Sequence, residues 1–132
     1  MDGSVSHAQL SNAFKGVLDA SFEAIAVHRA NTIWMVNRQF VALMGDRDAK
    51  DYQGMLIWDL IPHRHRRELA NSIAGLTTDT TQNEIELDIV TLEEVTIPIK
   101  CRSTLLGENG EQIVLTTFKD LRERKAMEMP RL

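Results

Sequence analysis

Leu10, Ala13, Phe14, Val17 and Leu18 recur at the spacing of one helical face, an apolar stripe that has to be buried against something. The helix is expected over 8–21, with Ser6 and Gln9 spaced as a capping box at its start. Residues 1–7 are small and polar and read as a flexible leader. Past Ser21 the period shortens. Ala24-Ile-Ala-Val-His-Arg29 and Thr32-Ile-Trp-Met-Val36 predict two strands joined by a tight turn at Asn31, because Asn tolerates a left-handed backbone. Asn37 suits the N-cap of a short helix with Phe40, Leu43 and Met44 on one face and Gly45 as its stop. Asp46–Gln53 is polar and loop-like. Gly54 opens an apolar run that predicts a helix through Ile61, and Pro62 suits the first turn of a longer one. Leu69, Ile73 and Leu76 supply that longer helix with a buried face, and Thr77–Thr81 is a polar loop.

The last third alternates. Ile85, Leu87 and Ile89 oppose Glu84, Glu86 and Asp88, and Val95, Ile97, Ile99, Cys101, Ser103 and Leu105 alternate in the same way. Gly107-Glu-Asn-Gly110 is a turn signal, and Gln112–Lys119 predicts a further strand. Helix, two strands, short helices, three strands: the order is that of an α+β domain on a five-stranded antiparallel sheet, with short helices on one face and an N-terminal amphipathic helix.

Composition narrows the class. A chain of 132 residues, 43% hydrophobic and 26% charged, is expected to form one globular domain. Fifteen basic against 19 acidic residues leave a net charge of −4, which argues against nucleic acid as a partner. A single cysteine rules out an internal disulfide and cysteine-based zinc sites. No apolar run approaches the ~20 residues of a membrane span, and the N-terminus lacks the apolar segment of a signal peptide. The expectation is a cytoplasmic domain with no direct membrane insertion.

From about Phe14 to Lys125 the chain resembles a PAS domain. Val27-His-Arg-Ala-Asn-Thr-Ile-Trp-Met-Val-Asn37 is similar to the family's first hairpin, which ends in Asn, and Gly54 stands where the family places a Gly before the helix flanking its cleft. Leu60-Ile-Pro-His63 matches the entry to the long helix, and Pro98 matches a proline early in the fourth strand. Asp120-Leu-Arg-Glu-Arg-Lys125 is close to the Asp-Ile-Thr-Glu-Arg-Lys signature that ends such domains. Three departures stand out. Glu93-Glu94 replaces the usual Asp-Gly between strands three and four, so that turn is expected to be longer or wider. Asn31 replaces a Gly, and Arg122 replaces the threonine of the terminal signature.

The resemblance implies a core over 22–120 and the start of a linker to an output domain over 121–132. It also implies a signal-sensing function, with an output such as a histidine kinase or a diguanylate cyclase. The pocket is expected to be lined by Ile25, Val27, Phe40, Met44, Trp58, Ile61, Ile73, Ile99, Cys101 and Thr117. Trp58 can equally line a pocket or fill the core. Asp120 and Arg124 are expected to relay the signal, touching each other or the adjacent hairpin. A homodimer is expected through Leu10, Phe14, Val17 and Leu18, because Trp34, Val114 and Phe118 also place apolar groups on the sheet's outer face. The rival is a ligand-free scaffold that pairs subunits.

Several chemistries are disfavoured. The light-sensing branch carries its flavin-reactive cysteine in an Asn-Cys-Arg-Phe-Leu-Gln motif, whereas the matching region here is Gly54-Met-Leu-Ile-Trp-Asp59. Cys101, on a strand, reads as a small buried hydrophobe, which disfavours a cysteinyl-flavin. Haem-binding relatives place a histidine at or just past the end of the long helix, and Gly75–Thr81 contains none. His63 and His65 do not share a helix face, so a metal site is not expected. Arg64, Arg66, Arg67 and a protonated His can attract a carboxylate-bearing ligand, or can simply balance Glu68, Asp59 and Asp46. The ligand is therefore expected to be small and either apolar or carboxylate-bearing. No phosphate loop, nucleophile elbow or acid–base pair stands out, so the chain reads as regulatory and not as an enzyme.

Overall fold

A computed structural model describes residues 7–29, 31–45, 47–77, 84–106 and 113–128. Helix α1 (His7–Asp19) leads into strands β1 (Ala24–Arg29) and β2 (Thr32–Val36), then helix α2 (Arg38–Leu43). Two 3₁₀ turns, Ala49–Asp51 and Ile57–Leu60, precede helix α3 (His63–Ala74). Strands β3 (Glu84–Val90), β4 (Thr96–Leu105) and β5 (Ile113–Asp120) complete the sheet, and helix α4 (Arg122–Glu128) leaves it. The sheet is antiparallel with order β2-β1-β5-β4-β3, so the first hairpin docks beside the last strand. Among the described residues no helix is long and apolar enough to cross a membrane. Ser6, Ala30, Asp46 and Gly107–Gly110 fall outside the described residues, and with them the capping box, half of the first turn and the β4–β5 turn.

Register decides which side chains face the helices. Directly paired residues share a face. Cys101 and Ile99 lie in the helix-side cluster; Cys101 pairs with Phe118, and Phe118 pairs with Ala24. Ala24, Ala26 and Phe118 therefore face the helices, with Val114 in phase with them along β5. Ile25 and Val27 face the other way, in a second cluster with Leu18 of α1 and Met35. Thr117 pairs with Ile25 and shares that outer face. This corrects the expected lining at Ile25, Val27 and Thr117, and equally the expected outward placement of Val114 and Phe118. The physical reason lies in β1, which is buried on both faces over Ala24–His28 and so carries no amphipathic alternation to read. Its small alanines take the crowded helix side and its larger side chains meet α1.

The region 54–61 also departs from expectation. Instead of a helix it forms one 3₁₀ turn, because its backbone is committed to β2. Gly54 N donates to Ile33 O at 2.9 Å, Ile33 N to Met55 O at 2.8 Å, and Ile57 N to Asn31 O at 2.8 Å. These bonds also cover part of an edge strand that would otherwise be open to pairing. Gly54 holds φ of 84° and Gly45, the stop of α2, φ of 106°, values that favour glycine. The β3–β4 connection spans Thr91–Val95, where Thr91 bonds Val95 through both its N–H and its hydroxyl. Glu94 takes the left-handed conformation there, with φ of 64°.

Asn37 joins these parts. It is fully buried and caps α2, its Oδ1 accepting from Phe40 N at 2.9 Å and from Ile25 N at 2.8 Å. Its Nδ2 donates to Leu18 O and to Glu23 O, both at 2.8 Å. One amide thus fills its whole bonding capacity across α1, the α1–β1 turn, β1 and α2. Replacement by Ala removes the cap and leaves the buried Ile25 N–H without its acceptor, so Asn37→Ala is expected to cost about 2–4 kcal/mol in urea unfolding. A loss below about 1 kcal/mol would mean that the surrounding backbone finds other partners.

Candidate functional site

The interior between sheet and helices gathers Phe40, Met44, Trp58, Ile61, Ile73, Ile99 and Cys101, seven of the ten residues expected there. Ile25, Val27 and Thr117 line the opposite face. Trp58 and Ile73 are partly buried and pack against the cluster from the helix side. The interior is occupied by its own aromatic rings. Phe40 meets Tyr52 edge-on at 5.2 Å between centroids and Phe118 at 5.4 Å. Tyr52 was not foreseen, because its polar neighbours, Asp46–Gln53, mark the stretch as a loop. It is fully buried, its hydroxyl lacks a hydrogen-bond partner among the described residues, and burial pushes its pKa up.

The same inner face carries a polar trio across three adjacent strands. His28 Nε2 lies 3.1 Å from Thr116 Oγ1, which lies 2.9 Å from Ser103 Oγ, and all three residues are buried. Bonded together, hydroxyl and imidazole groups can sit in an apolar interior at little net cost. His28 stands out in the sequence as the polar member of an apolar run. Ser103 and Thr116 give no such signal, since Ser and Thr are ordinary residues on a strand. Cys101, nearby on β4, has its thiol pushed up to about 12, chiefly by burial. A thiol that stays protonated is a poor nucleophile and metal ligand.

At the exit, Asp120 Oδ1 accepts from Arg122 N at 2.9 Å, and its Oδ2 accepts from the Arg122 guanidinium at 2.7 Å. Asp120, the last residue of β5, thus holds the first residue of α4, Arg122, which stands where the PAS signature has threonine. Leu121, buried, donates its N–H to Pro98 O at 2.9 Å, and Lys125 N returns to Leu121 O at 2.9 Å. Arg124 reaches β3, donating to Glu86 at 2.5 Å, and Lys125 Nζ stands 3.6 Å from the same carboxylate. Asp120 and Arg124 do not meet each other; Arg124 meets the neighbouring hairpin and Asp120 meets Arg122. The Arg122 hydrogen bond holds the Asp120 carboxyl below its ordinary pKa, and the Arg124 hydrogen bond does the same to Glu86.

The basic run of α3 is mostly engaged. Arg64 pairs with Asp88, His65 stands 3.7 Å from Asp88 and 3.9 Å from Glu68, and Arg66 Nε donates to Ile61 O at 3.0 Å. Asp88, unforeseen in this role, supplies the main counter-charge. Among the described residues no cluster of three His, Cys, Asp or Glu side chains is placed to hold a metal.

On the outer face, α1 covers β1, β2 and β5. Leu18 is 3% exposed, and Phe14 stacks on Trp34 with centroids 6.3 Å apart, while the Arg29 guanidinium lies 5.9 Å from the same indole. Leu18 and Phe14 are thus engaged by their own sheet and Leu18 is not available to a partner. Val17 is 69% exposed. Leu10 belongs to α1, but its side chain lies outside the described residues. Clefts among the described residues include one of about 530 Å³ between α2 and the end of β5 and one of about 380 Å³ between α1 and β2.

No protein-family model matches the sequence, and no curated protein matches it significantly. Solved structures do. The PAS domain of a protein from Colwellia psychrerythraea superposes with a TM-score of 0.73 at 14% identity, over 87% of this chain and 99% of that one. The PAS domain of an HTR-like protein from Haloarcula marismortui gives a TM-score of 0.68 at 21% identity, over 86% and 93%. A domain of the sensory box sensor histidine kinase/response regulator from Geobacter sulfurreducens gives 0.62 at 16%, over 89% and 100%. With its strand order, its short helices on one sheet face and this likeness over most of its length, the chain has the PAS fold.

Proposed function

We propose that the chain is a sensory module that reports a change in its interior through β5 to α4, and from there to an output domain such as a histidine kinase or a diguanylate cyclase. The observation that carries this reading is a packed line: Phe40 on α2 touches Phe118 on β5, two residues before Asp120, whose carboxylate holds the first residue of α4. Arg124 and Lys125 then tie α4 to Glu86 across the sheet. The likeness to a domain of a sensor histidine kinase supports it. The signal is a small apolar or carboxylate-bearing molecule, or a protein partner, and it acts only if it binds the two arrangements with different affinity.

A second reading, a ligand-free scaffold that pairs subunits, is favoured by the aromatic rings that occupy the interior. Val17, Phe22 and Trp34, at 69%, 101% and 37% exposure, leave apolar surface for a second copy. Native against denatured mass spectrometry of protein purified from cells separates the two, because a retained ligand adds its mass only under native conditions.

The relay reading predicts that Phe40→Leu moves the amide NMR signals of Leu121–Lys125 as well as those of β5. Glu86→Arg, which breaks the tie to α4, damps that response, and adding Arg124→Glu restores it. Perturbations that stop at Lys119 would contradict the relay.

Acid gives a second check. Asp120 and Glu86 have lowered folded pKa values, so their contribution is present above the ordinary carboxylate range near pH 4 and is lost as pH falls through the lowered values. Protection of α4 amides, corrected for intrinsic exchange, is expected to hold from pH 8 to about 5 and to fall below about pH 4. Unchanged protection at pH 3 would show that the pairs do not hold the helix.

If copies pair through α1, Val17→Glu lowers the mass measured by light scattering from dimer to monomer. An unaltered chain that is monomeric at high micromolar concentration rejects the pairing.

A further inference from the structure

Tyr52, the chain's one tyrosine, closes the 3₁₀ turn Ala49–Asp51 and is fully buried, its ring edge-on to Phe40 at 5.2 Å. Its hydroxyl has no hydrogen-bond partner among the described residues. Phenylalanine would fill nearly the same space without an unpaired polar atom, so the hydroxyl is penalised as long as water is kept from it. Charges within reach of that hydroxyl show themselves by their effect on it. Burial does most to push the Tyr52 pKa up, Glu93 adds to the rise, and Arg47 opposes it. Arg47 and Glu93 pair with each other, and each side chain is about half exposed. The hydroxyl therefore lies between the edge of the interior and an ion pair that faces water.

The two members of the pair stand on separate units, each bonded within itself. In the loop after α2, Asp48 accepts from Lys50 N at 3.0 Å, and Tyr52 N donates to Ala49 O at 3.2 Å. In the β3–β4 connection, Thr91 holds Val95 N at 3.0 Å through its hydroxyl, and Glu94 N donates to Thr91 O at 2.9 Å. Glu93 reaches the end of α2, where a Cβ on Gly45 would lie 3.5 Å from its Oε2. Among the described residues, the hydrogen bond that crosses between the two units is Arg47 to Glu93. An exposed pair shifts an equilibrium by about fivefold at most, so it can hold the units together and still let them part.

We propose that the Arg47–Glu93 pair is a clasp over Tyr52, and that its opening lets water and small solutes reach the interior at the Tyr52 hydroxyl, beside Phe40. The proposal deepens the sensory reading by naming the way in, and the clasp's value as an entrance rests on that reading. The clasp is read at Tyr52 and the relay at Leu121–Lys125, so the two fail separately.

The reporter is the full chain with 3-fluorotyrosine in place of tyrosine, which gives one fluorine signal beside the hydroxyl. Its displacement between H2O and D2O measures water at the ring, and its relaxation by the nitroxide TEMPO measures entry of a small solute. Arg47→Gln and Glu93→Gln are each expected to raise both about two- to fivefold, with the amide signals of Val114–Phe118 in place. Sodium chloride at 1 M is expected to do the same to the unaltered chain, because screening then acts within about 3 Å, and to add nothing to either variant. The swapped pair, Arg47→Glu with Glu93→Arg, restores the low values, and Glu94→Gln, in the same turn but outside the pair, leaves them unchanged. Variants that match the unaltered chain, or a rise that Glu94→Gln reproduces or the swap leaves in place, would overturn the clasp. Water that enters without the nitroxide would overturn the entrance. Still Leu121–Lys125 amides in Phe40→Leu would reject the relay whatever the clasp does.

Discussion

Four hydrogen bonds from one buried amide organise this fold. Asn37 sits where α1, the α1–β1 turn, β1 and α2 converge, and without it the buried Ile25 N–H and the start of α2 would lose their acceptor and two carbonyls of the α1–β1 connection a donor. The first hairpin is placed by it, and the hairpin in turn brings β1 beside β5. Everything downstream follows from that pairing: Ala24 opposite Phe118 sets the face of both strands, and Phe118 sets the ring that meets Phe40.

The faces then divide the work. The helix side is closed by Phe40, Tyr52 and Phe118, with a bonded polar trio of His28, Thr116 and Ser103 embedded in it. The outer side is apolar under α1 and ionic under α4, where Glu84 and Glu86 answer Arg102, Arg124 and Lys125. A packed interior transmits displacement better than a loose one, because close-packed side chains have few ways to absorb strain. That is the physical content of the proposed relay from α2 to α4.

Much of this architecture was legible from residue types alone. Asn37 as a cap, Gly45 as a stop, Pro62 at the head of α3 and the alternation of β3 and β4 each have one physical meaning, and each stands where the sequence places it. Misreadings fall where the pattern was silent. β1 is apolar on both sides, so its face could be known only from its register with β5, and β5 inherited the error at Thr117, Val114 and Phe118. Residues 54–61 have a helical complement of apolar residues, yet their backbone bonds go to β2, a tertiary choice that local propensity does not contain. Tyr52 hid among polar neighbours. At the exit, of the two contacts open to Asp120 and Arg124, Arg124 takes the neighbouring hairpin through Glu86, while Asp120 holds Arg122, two residues on and at the first position of α4.

The central claim is that the interior and the start of α4 open and close as one unit. Native-state hydrogen exchange across a urea series measures this directly. The amide of Lys125, bonded to Leu121 O, is the reporter on α4, and the amides of Val114–Phe118 report on β5. The account predicts that the opening free energy of Lys125 rises onto the β5 isotherm as urea is added. A Lys125 amide that exchanges by a small, urea-independent fraying far below that isotherm would contradict it.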